Sequence, residues 1–362
     1  MKKRIFFLLF SMSMGGIEKS FLNLSNEIKF KDCEIHLGLL RKEGEFLKEL
    51  PSNVILHECC KGLWNDINKP IHQLIIENLK AHNFKKTFLY SLDYLKYKIN
   101  GNREHFYKNI LKGEPEINIE FDEAYAYAGP ASIIDYYVVN KIKALKKFGW
   151  IHFDISKVWV DSHLIRSLYP IYEKIFVVSK EAKIKFDSQF SEFSDKTEVR
   201  YNIINKEKIR DLALQEETFD DDFHGKRILT VGRISEEKGQ DLAIKTLKIL
   251  IDKGYNIRWY FIGDGPFLAE CINKVKSLGL DNCAIFMGKK ENPYPYMKDC
   301  DVYVQPSRHE GFCLTVAEAK CFNKPIVTTD FSGAYEQLKE TVKFAITAPS
   351  PQELAHGIIK VI

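Results

Sequence analysis

Two glutamates in the stretch 306–319, PSRHEGFCLTVAEA, have the spacing to bind the two hydroxyl-rich ends of one ligand. Glu310 and Glu318 enclose seven residues, among them a Gly-Phe turn, and a helix is predicted over Leu314 to Lys320. Free backbone N–H groups at the start of that helix would stabilise an anion between the carboxylates. Eight residues span about 12 Å if fully helical, close to the reach of a nucleotide diphosphate sugar from ribose to hexose. The spacing alone also fits two solvated glutamates at an ordinary corner.

Two cations, Arg233 and Lys238, follow a second apolar run. Ile228 to Val231 is predicted to be a buried parallel strand, Gly232 allows a tight turn, and helical periodicity begins at Asp241. The cations would therefore lie in a strand-to-helix loop, at the edge where open α/β sheets bind ligands. A planar guanidinium and a compact ammonium both suit a pyrophosphate that gains charge as a bond to it breaks.

The first half of the chain offers two further candidate sites. Gly15 and Gly16 follow the first predicted strand and precede a helix predicted from about Glu18, so their backbone could approach a phosphate closely. His152 and Asp154 follow the strand KKFGWI at the same edge of the sheet. That position favours contact of His152 with a sugar hydroxyl or an acceptor, and of Asp154 with an acceptor, although a turn and a buried histidine are the ordinary alternatives.

Length and composition predict two domains in a reducing compartment. The 362 residues exceed one typical core, and the apolar share of 45% is that of a globular protein. The eight cysteines form no C-x-x-C pair, which disfavours a zinc site or a disulfide framework and favours the cytoplasm. The opening MKKRIFFLLF is predicted to be a first buried strand rather than a signal peptide, because its apolar run is short and a Gly-Gly loop follows.

Short apolar runs alternate with helical segments and predict two parallel sheets. The boundary is predicted at 205/206, with the acidic stretch up to Gly225 as a hinge. The first series of predicted strands comprises Arg4–Phe10, Glu34–Leu40, Val54–His57, Thr87–Leu89, Glu123–Tyr127, Lys147–His152, Ile175–Val178 and Val199–Ile204. The second comprises Arg227–Val231, Arg258–Ile262, Ala284–Met287, Val302–Gln305 and Pro325–Thr328.

Several motifs together resemble the retaining glycosyltransferases of family four. They are VGRISEEKG, FIGDGP at 261–266, and the runs at 292–312 and 324–337, while MGGIEKSFLNL and KKFGWIHFDISK resemble the amino-terminal domain of capsule and exopolysaccharide transferases. The resemblance implies the GT-B fold, in which two Rossmann-like domains face each other across a nucleotide-sugar cleft. Residues 1–205 would then bind the acceptor and residues 206–362 the donor.

The resemblance also implies roles for individual residues. Glu318 would accept hydrogen bonds from both ribose hydroxyls, and Glu310 would contact the donor hexose. The distal phosphate would be held by Arg233 and Lys238 together with N–H groups of the segment Gly311, Phe312, Cys313, Leu314 and Thr315. The base would meet the backbone near Lys289, and Tyr294, Pro295 and Tyr296 would support that region. No acidic DxD pair stands in a suitable loop, so neither a metal nor another cofactor is expected.

The implied reaction is transfer of a hexosyl unit from a nucleotide diphosphate sugar to an acceptor hydroxyl, with retention at the anomeric carbon. UDP is the expected nucleotide, and GDP and ADP stay open. The alternatives are a GT-B sugar-nucleotide epimerase, a PLP-dependent phosphorylase whose lysine context is missing here, and a non-catalytic partner subunit that retains the fold.

The net charge of +4 is unevenly distributed. Lysines and arginines crowd residues 80–112 and 141–185, with Tyr94, Tyr97, Phe106 and Tyr107 interleaved in the first region. An anionic membrane surface on the inner leaflet is one interpretation, supported by the lipid-linked acceptors that the family commonly uses. The alternative is a solvated lysine-rich helix, and no motif indicates nucleic acid.

Overall fold

The chain folds into two compact units, each built on one parallel sheet. The computed structural model describes residues 2–28, 32–60, 71–100, 103–112, 117–130, 132–216 and 218–362. The first unit comprises Met1–Val178 with Lys183–Tyr201, and the second comprises Ser179–Ala182 with Asn202–Ile362.

Seven strands form the sheet of the first unit, in the order β3-β2-β1-β4-β5-β6-β7, with parallel pairing throughout. Consecutive buried positions such as Ile5–Leu9 explain the parallel arrangement, since strands covered on both faces are apolar without alternation. The strands are β1 (Lys3–Leu9), β2 (Cys33–Leu39), β3 (Ile55–Glu58), β4 (Glu120–Gly129), β5 (Lys143–Ile151), β6 (Lys174–Val177) and β7 (Thr197–Val199).

Seven described α-helices accompany this sheet. They are α1 (Gly16–Glu27), α2 (Ile71–Lys80), α3 (Phe84–Asn100), α4 (Glu104–Ile110), α5 (Ile133–Lys141), α6 (Ser162–Leu168) and α7 (Lys180–Gln189), the last of which begins in the segment grouped with the second unit. The predicted strand at Thr87–Leu89 is wrong, because these residues lie inside α3, whose apolar side chains recur at helical spacing. The predicted strand at Val199–Ile204 overlaps β7 only at Val199.

Six strands form the sheet of the second unit, in the order β10-β9-β8-β11-β12-β13. They are β8 (Lys226–Val231), β9 (Ile257–Ile262), β10 (Ala284–Phe286), β11 (Val302–Gln305), β12 (Ile326–Thr329) and β13 (Phe344–Thr347). The described helices are α8 (Lys206–Leu212), α9 (Gln240–Asp252), α10 (Leu268–Ser277), α11 (Tyr294–Asp299), α12 (Leu314–Ala319), α13 (Ala334–Leu338) and α14 (Pro351–Val361).

The acidic stretch predicted to be a hinge is packed onto the second unit instead. Ile209 of α8 is buried in the core of that unit. Asp221 forms ion pairs with Arg227 at 2.6 Å and Arg258 at 3.3 Å. Its carboxylate is therefore held by cations of β8 and β9, which gives this acidic residue a structural role in the second unit.

Each sheet reverses its strand order at one place, between β1 and β4 in the first and between β8 and β11 in the second. Ligands of open α/β sheets bind outside the carboxyl ends of the strands at such a switch point, because the adjoining loops diverge there and leave a crevice. The loop after β8 carries the predicted cations, and the loop after β11 with the helix that follows it carries the predicted glutamates, so the fold brings them to one edge.

Candidate active site

The loops that follow β8 and β11 approach each other so closely that one position requires glycine. Gly239 has a φ of +72°, and a Cβ there would lie 2.0 Å from the carbonyl oxygen of Pro306. Gly239 ends the short 3-10 turn Glu236–Lys238, so this approach sets the Lys238 side chain beside the loop that contains Glu310.

Lys238 and Glu310 form a largely buried ion pair across the switch point. The Lys238 Nζ lies 2.7 Å from Oε1 and 2.8 Å from Oε2 of Glu310, and the two side chains are 23% and 9% exposed. Burial disfavours the ammonium, but the charge of Glu310 and its hydrogen bond, assisted by Glu237, raise the pKa of Lys238 above its usual value. The lysine therefore stays cationic at neutral pH, as its predicted role as a phosphate ligand requires.

A series of hydrogen-bonded polar side chains holds the Glu310 carboxylate in place. The Ser307 hydroxyl donates to Glu310 Oε1 at 2.7 Å, and Gln305 Nε2 donates to the Ser307 Oγ at 2.8 Å. Gln305 Oε1 in turn accepts hydrogen bonds from Tyr303 at 2.9 Å and Thr315 at 3.2 Å. Because a buried amide with several satisfied bonds has little rotational freedom, this series fixes the position of the Glu310 carboxylate.

Arg308 contacts both of these loops, and no role was predicted for it from the sequence. Its guanidinium donates to both carboxylate oxygens of Asp241, each at 2.9 Å, and also to the Glu236 carbonyl. Its backbone N–H donates to the Glu237 carbonyl at 2.8 Å. These hydrogen bonds raise the pKa of Arg308 and, against the effect of burial, lower that of Asp241. The sequence features that could have indicated this contact were a cation two residues before Glu310 and an acid in the first turn of α9.

Arg233 lies in the loop after β8 but outside the buried pair. Its side chain is 64% exposed, and its guanidinium contacts Glu237 at 3.0 Å. Gly232, with a φ of +156°, precedes it, and the Gly232 N–H donates to the Ile262 carbonyl at 3.0 Å. The structure thus brings Lys238 and Glu310 together and leaves the exposed Arg233 paired with the half-buried carboxylate of Glu237.

The segment from Gly311 to Leu314 is buried, and Thr315 is half-buried, at the start of α12. Cys313 caps the helix in the left-handed conformation, with a φ of +54°, and makes no side-chain cap. Burial raises the pKa of its thiol, so Cys313 is a neutral group here. The Phe312 carbonyl accepts a hydrogen bond from the Gln337 side chain, which fixes the turn before the helix.

Glu318 is 5% exposed on α12, and the Tyr294 hydroxyl donates to its Oε1 at 3.0 Å. Tyr294 was predicted to support the region, and in addition it orients the carboxylate predicted to bind ribose. Lys289 is exposed in the loop after β10, where the Gly288 carbonyl accepts a hydrogen bond from the Gly263 N–H at 2.9 Å.

In the first unit, Gly15 caps α1 and Gly16 begins it. Gly15 has an extended φ of −149°, and a Cβ there would lie 2.4 Å from the Glu18 carboxylate. A Cβ at Gly16 would meet nothing within 4 Å. Backbone conformation therefore does not require glycine at either position, and the predicted phosphate contact depends on a close approach of the ligand.

His152 follows β5 and is buried among aromatic rings. Its ring is stacked with Trp150 at 5.8 Å and lies 4.6 Å from Tyr127, whose hydroxyl is 2.8 Å from the Ser20 hydroxyl of α1. The His152 Nε2 is buried without a hydrogen-bond partner among the described residues, as is the Trp150 Nε1. Burial lowers the pKa of His152 to about 3, so the ring is neutral at physiological pH. Its unpartnered Nε2 could form a hydrogen bond with a sugar hydroxyl.

Asp154 has partners within the first unit. It is 3% exposed, accepts from the Ser156 backbone and hydroxyl at 2.9 and 2.6 Å, and pairs with Lys185 at 2.8 Å. These contacts give it a structural role, and an acceptor would have to compete with them. Within the described ranges, no group of three or more His, Cys, Asp or Glu side chains is arranged to hold a metal ion.

Comparison with known proteins finds glycosyltransferases among both the sequence relatives and the solved structures. Residues 215–362 match the family model described as glycosyl transferases group 1. Anabaena HepE in complex with UDP and glucose superposes with a TM-score of 0.65 at 17% identity, covering 97% of this chain and 88% of HepE. Staphylococcus aureus TarM superposes with a TM-score of 0.69 at 13% identity, covering 99% and 92%. The GT-B fold predicted from the sequence is confirmed.

Among curated proteins, one relative is the Campylobacter jejuni N-acetylgalactosamine-N,N'-diacetylbacillosaminyl-diphospho-undecaprenol 4-alpha-N-acetylgalactosaminyltransferase. It is 32% identical over 178 residues, which cover 49% of this chain and 47% of that enzyme. The chain thus spans about half the length of this relative. The predicted resemblance to glycosyltransferases is confirmed by these matches.

Proposed function

We propose that the chain transfers a hexosyl unit from a nucleotide diphosphate sugar, with UDP as the expected nucleotide, to a glycan or lipid-linked glycan acceptor in surface polysaccharide synthesis. The observation that carries the proposal is the Lys238–Glu310 pair. It lies at the switch point of the sheet of the second unit, within the residues that match the family model described as glycosyl transferases group 1. The likeness to HepE, which was solved with UDP and glucose, supports a UDP-linked donor.

The proposed reaction proceeds with retention by front-face attack. The bond between the anomeric carbon and the distal phosphate oxygen breaks, the acceptor oxygen bonds to the same face of that carbon, and the acceptor proton moves to the leaving phosphate. Lys238 and Arg233 stabilise the charge that the phosphate gains, and N–H groups at the start of α12 assist them. Glu310 orients the hexose and Glu318 binds the ribose diol. A charge clamp of this kind replaces a divalent metal in the proposal.

The proposed acceptor is a glycan carried by a lipid. The name of the Campylobacter jejuni relative specifies a diphospho-undecaprenol acceptor, which supports this class. None of the described helices has the length and apolarity needed to cross a bilayer. We propose that the chain reaches such an acceptor by contact with the membrane surface, for which the basic region 80–112 is the candidate.

Thermal-shift measurements with UDP-, GDP- and ADP-sugars test the donor, and product analysis with an oligosaccharide acceptor tests the transfer. We expect the largest shift with a UDP-sugar and a product whose new linkage keeps the donor's anomeric configuration. Conversion of the donor to its epimer without transfer would establish the epimerase alternative. Nucleotide binding without any turnover would establish the non-catalytic subunit.

A further inference from the structure

The helical pair α2–α3 places an apolar stripe on its solvent side. Within the described part of the chain, eight of seventeen exposed large apolar side chains lie on these two helices. Six of them lie on α3, and five of these six recur at spacings of four, four, three and four residues, which put them on one face of a helix. This outer stripe consists of Phe84, Phe88, Leu92, Leu95 and Ile99, which are 65%, 64%, 38%, 56% and 80% exposed.

The opposite face of α3 makes the contacts that hold the helix in the unit. Tyr90 is buried and its ring lies 6.1 Å from Phe106 of α4. Asp93 is buried and accepts a hydrogen bond from Asn109 at 2.7 Å. The polarity of α3 is therefore inverted, since a carboxylate faces the protein and the phenylalanines face solvent. Ile76 and Leu79 of α2, 50% and 52% exposed, add to the apolar surface.

Lysines border the stripe, and their charge indicates what covers it. The two helices contain five lysines, of which Lys80, Lys85, Lys96 and Lys98 are exposed and Lys86 is half-buried. Their two carboxylates are Glu77, which is half-buried, and the buried Asp93. Two copies of so basic a face would repel each other, whereas anionic headgroups complement it. A helix with an apolar stripe between lysines is typical of elements that lie in the bilayer interface.

We propose that α2–α3 inserts its outer stripe into the interfacial region of an anionic membrane, with the flanking lysines at the lipid headgroups. This inference rests on the proposed function, because it names the surface by which the transferase reaches a lipid-linked acceptor. It also changes which side chains of the basic region 80–112 are expected to contact lipid. Phe106 and Tyr107 are buried in the unit, and the lipid contacts are made by residues of α3.

Vesicle flotation tests the proposal with the full chain. Vesicles of neutral phosphatidylcholine are compared with vesicles that also contain phosphatidylglycerol. The triple variant Phe88→Ser, Leu95→Ser, Ile99→Ser should bind the anionic vesicles about tenfold more weakly or worse, since insertion scales with buried apolar area. The matched control is Leu145→Ser, Ile184→Ser, Val342→Ser, at positions that are 74%, 68% and 88% exposed elsewhere in the chain. The control should bind like the wild type.

A second measurement separates insertion from surface attraction. A tryptophan placed by Leu95→Trp should be quenched by lipids brominated on their acyl chains, and one placed by Leu145→Trp should not. Absence of quenching at position 95, or undiminished binding of the triple variant, would overturn the proposal. So would a wild-type dimer that the triple variant converts to monomers without losing vesicle binding, because a second copy would then be the occupant. If the triple variant fails to fold, Ile99→Ser alone, at the most exposed stripe position, replaces it.

Transfer to a water-soluble oligosaccharide distinguishes this inference from the proposed function. The triple variant should keep wild-type rates with such an acceptor while its vesicle binding falls. A wild type that binds vesicles through α3 but transfers no sugar would refute the proposed function and leave the membrane surface standing. A wild type that transfers sugar but shows no stripe-dependent binding would refute the membrane surface and leave the proposed function standing.

Discussion

The Lys238 ammonium binds both carboxylate oxygens of Glu310, at 2.7 and 2.8 Å, and these residues lie on loops from neighbouring strands. In the proposed reaction the two have separate ligands, a phosphate and a hexose. The ion pair holds both side chains in the positions from which they would contact these ligands, so the site is ordered by the attraction of two opposite charges.

Lys238→Ala should lower kcat about tenfold or more, because the phosphate that it would stabilise gains charge as the glycosidic bond breaks. Arg233→Ala should also reduce kcat. Steady-state kinetics at saturating donor measures both. Lys248→Ala is the control, since Lys248 forms an exposed pair with Asp252 on α9 away from the loop. Unchanged rates in both site variants would place the phosphate clamp elsewhere.

Glu318→Ala should weaken binding of free UDP by about 1–3 kcal/mol, through loss of charge-assisted hydrogen bonds to ribose. Tyr294→Phe removes only the hydroxyl that donates to Glu318 at 3.0 Å and should cause a smaller loss in the same direction. Titration calorimetry on folded variants measures both. Wild-type affinity in Glu318→Ala would rule out the ribose assignment.

Arg308→Met should reduce kcat by loosening the contact between the loops after β8 and β11, while overall stability falls by about 1 kcal/mol because Arg308 is partly exposed. Arg308→Lys keeps the charge without the planar fork that binds Asp241 and should be intermediate. Activity and thermal unfolding, measured together, test this. A loss of stability with unaltered kcat would make Arg308 a purely structural residue.

Chelation by EDTA should leave the transfer rate largely intact, because the proposed charge clamp consists of side-chain cations and helix N–H groups. The rate is measured before and after EDTA, and again after Mg²⁺ and Mn²⁺ are added to the treated enzyme. A strict requirement for either ion would refute the metal-independent mechanism.

Stability should fall on acidification through His152. Its folded pKa of about 3 is below the usual 6.5, so between these values the unfolded chain binds a proton that the folded chain does not. The free energy of unfolding therefore decreases as pH falls from 6.5 toward 3, by up to about 1.4 kcal/mol per pH unit from this residue.

His152→Phe should flatten that dependence, because phenylalanine cannot bind a proton and can keep the ring packing against Trp150. Urea unfolding midpoints at several pH values measure the effect. His163→Phe, at an exposed position on α6, is the matched control. A variant with the wild-type pH dependence would show that another group is responsible.

The sequence predicted the strands that carry the candidate site because β8 and β11 are local apolar runs, and the spacing of Glu310 and Glu318 made them candidates. Arg308 was missed because its partner Asp241 lies 67 residues away and meets it only when two loops touch. Thr87–Leu89 was predicted to be a strand because three β-prone or apolar residues resemble one locally. The outward direction of the α3 stripe depends on which face packs against α4, and that information is tertiary. The edge strand β13 is only half-buried, so its pattern was weak.

The contact between Gly239 and Pro306 also bears on the entropy of binding. Together with the bidentate Arg308–Asp241 contact and the Lys238–Glu310 pair, it connects the loops after β8 and β11 at three points. Loops that are ordered before a ligand arrives lose little further conformational freedom on binding. A donor that touches one loop should therefore find the other already immobile. In hydrogen exchange, we expect these loops to be protected without nucleotide and to gain little protection when it is added.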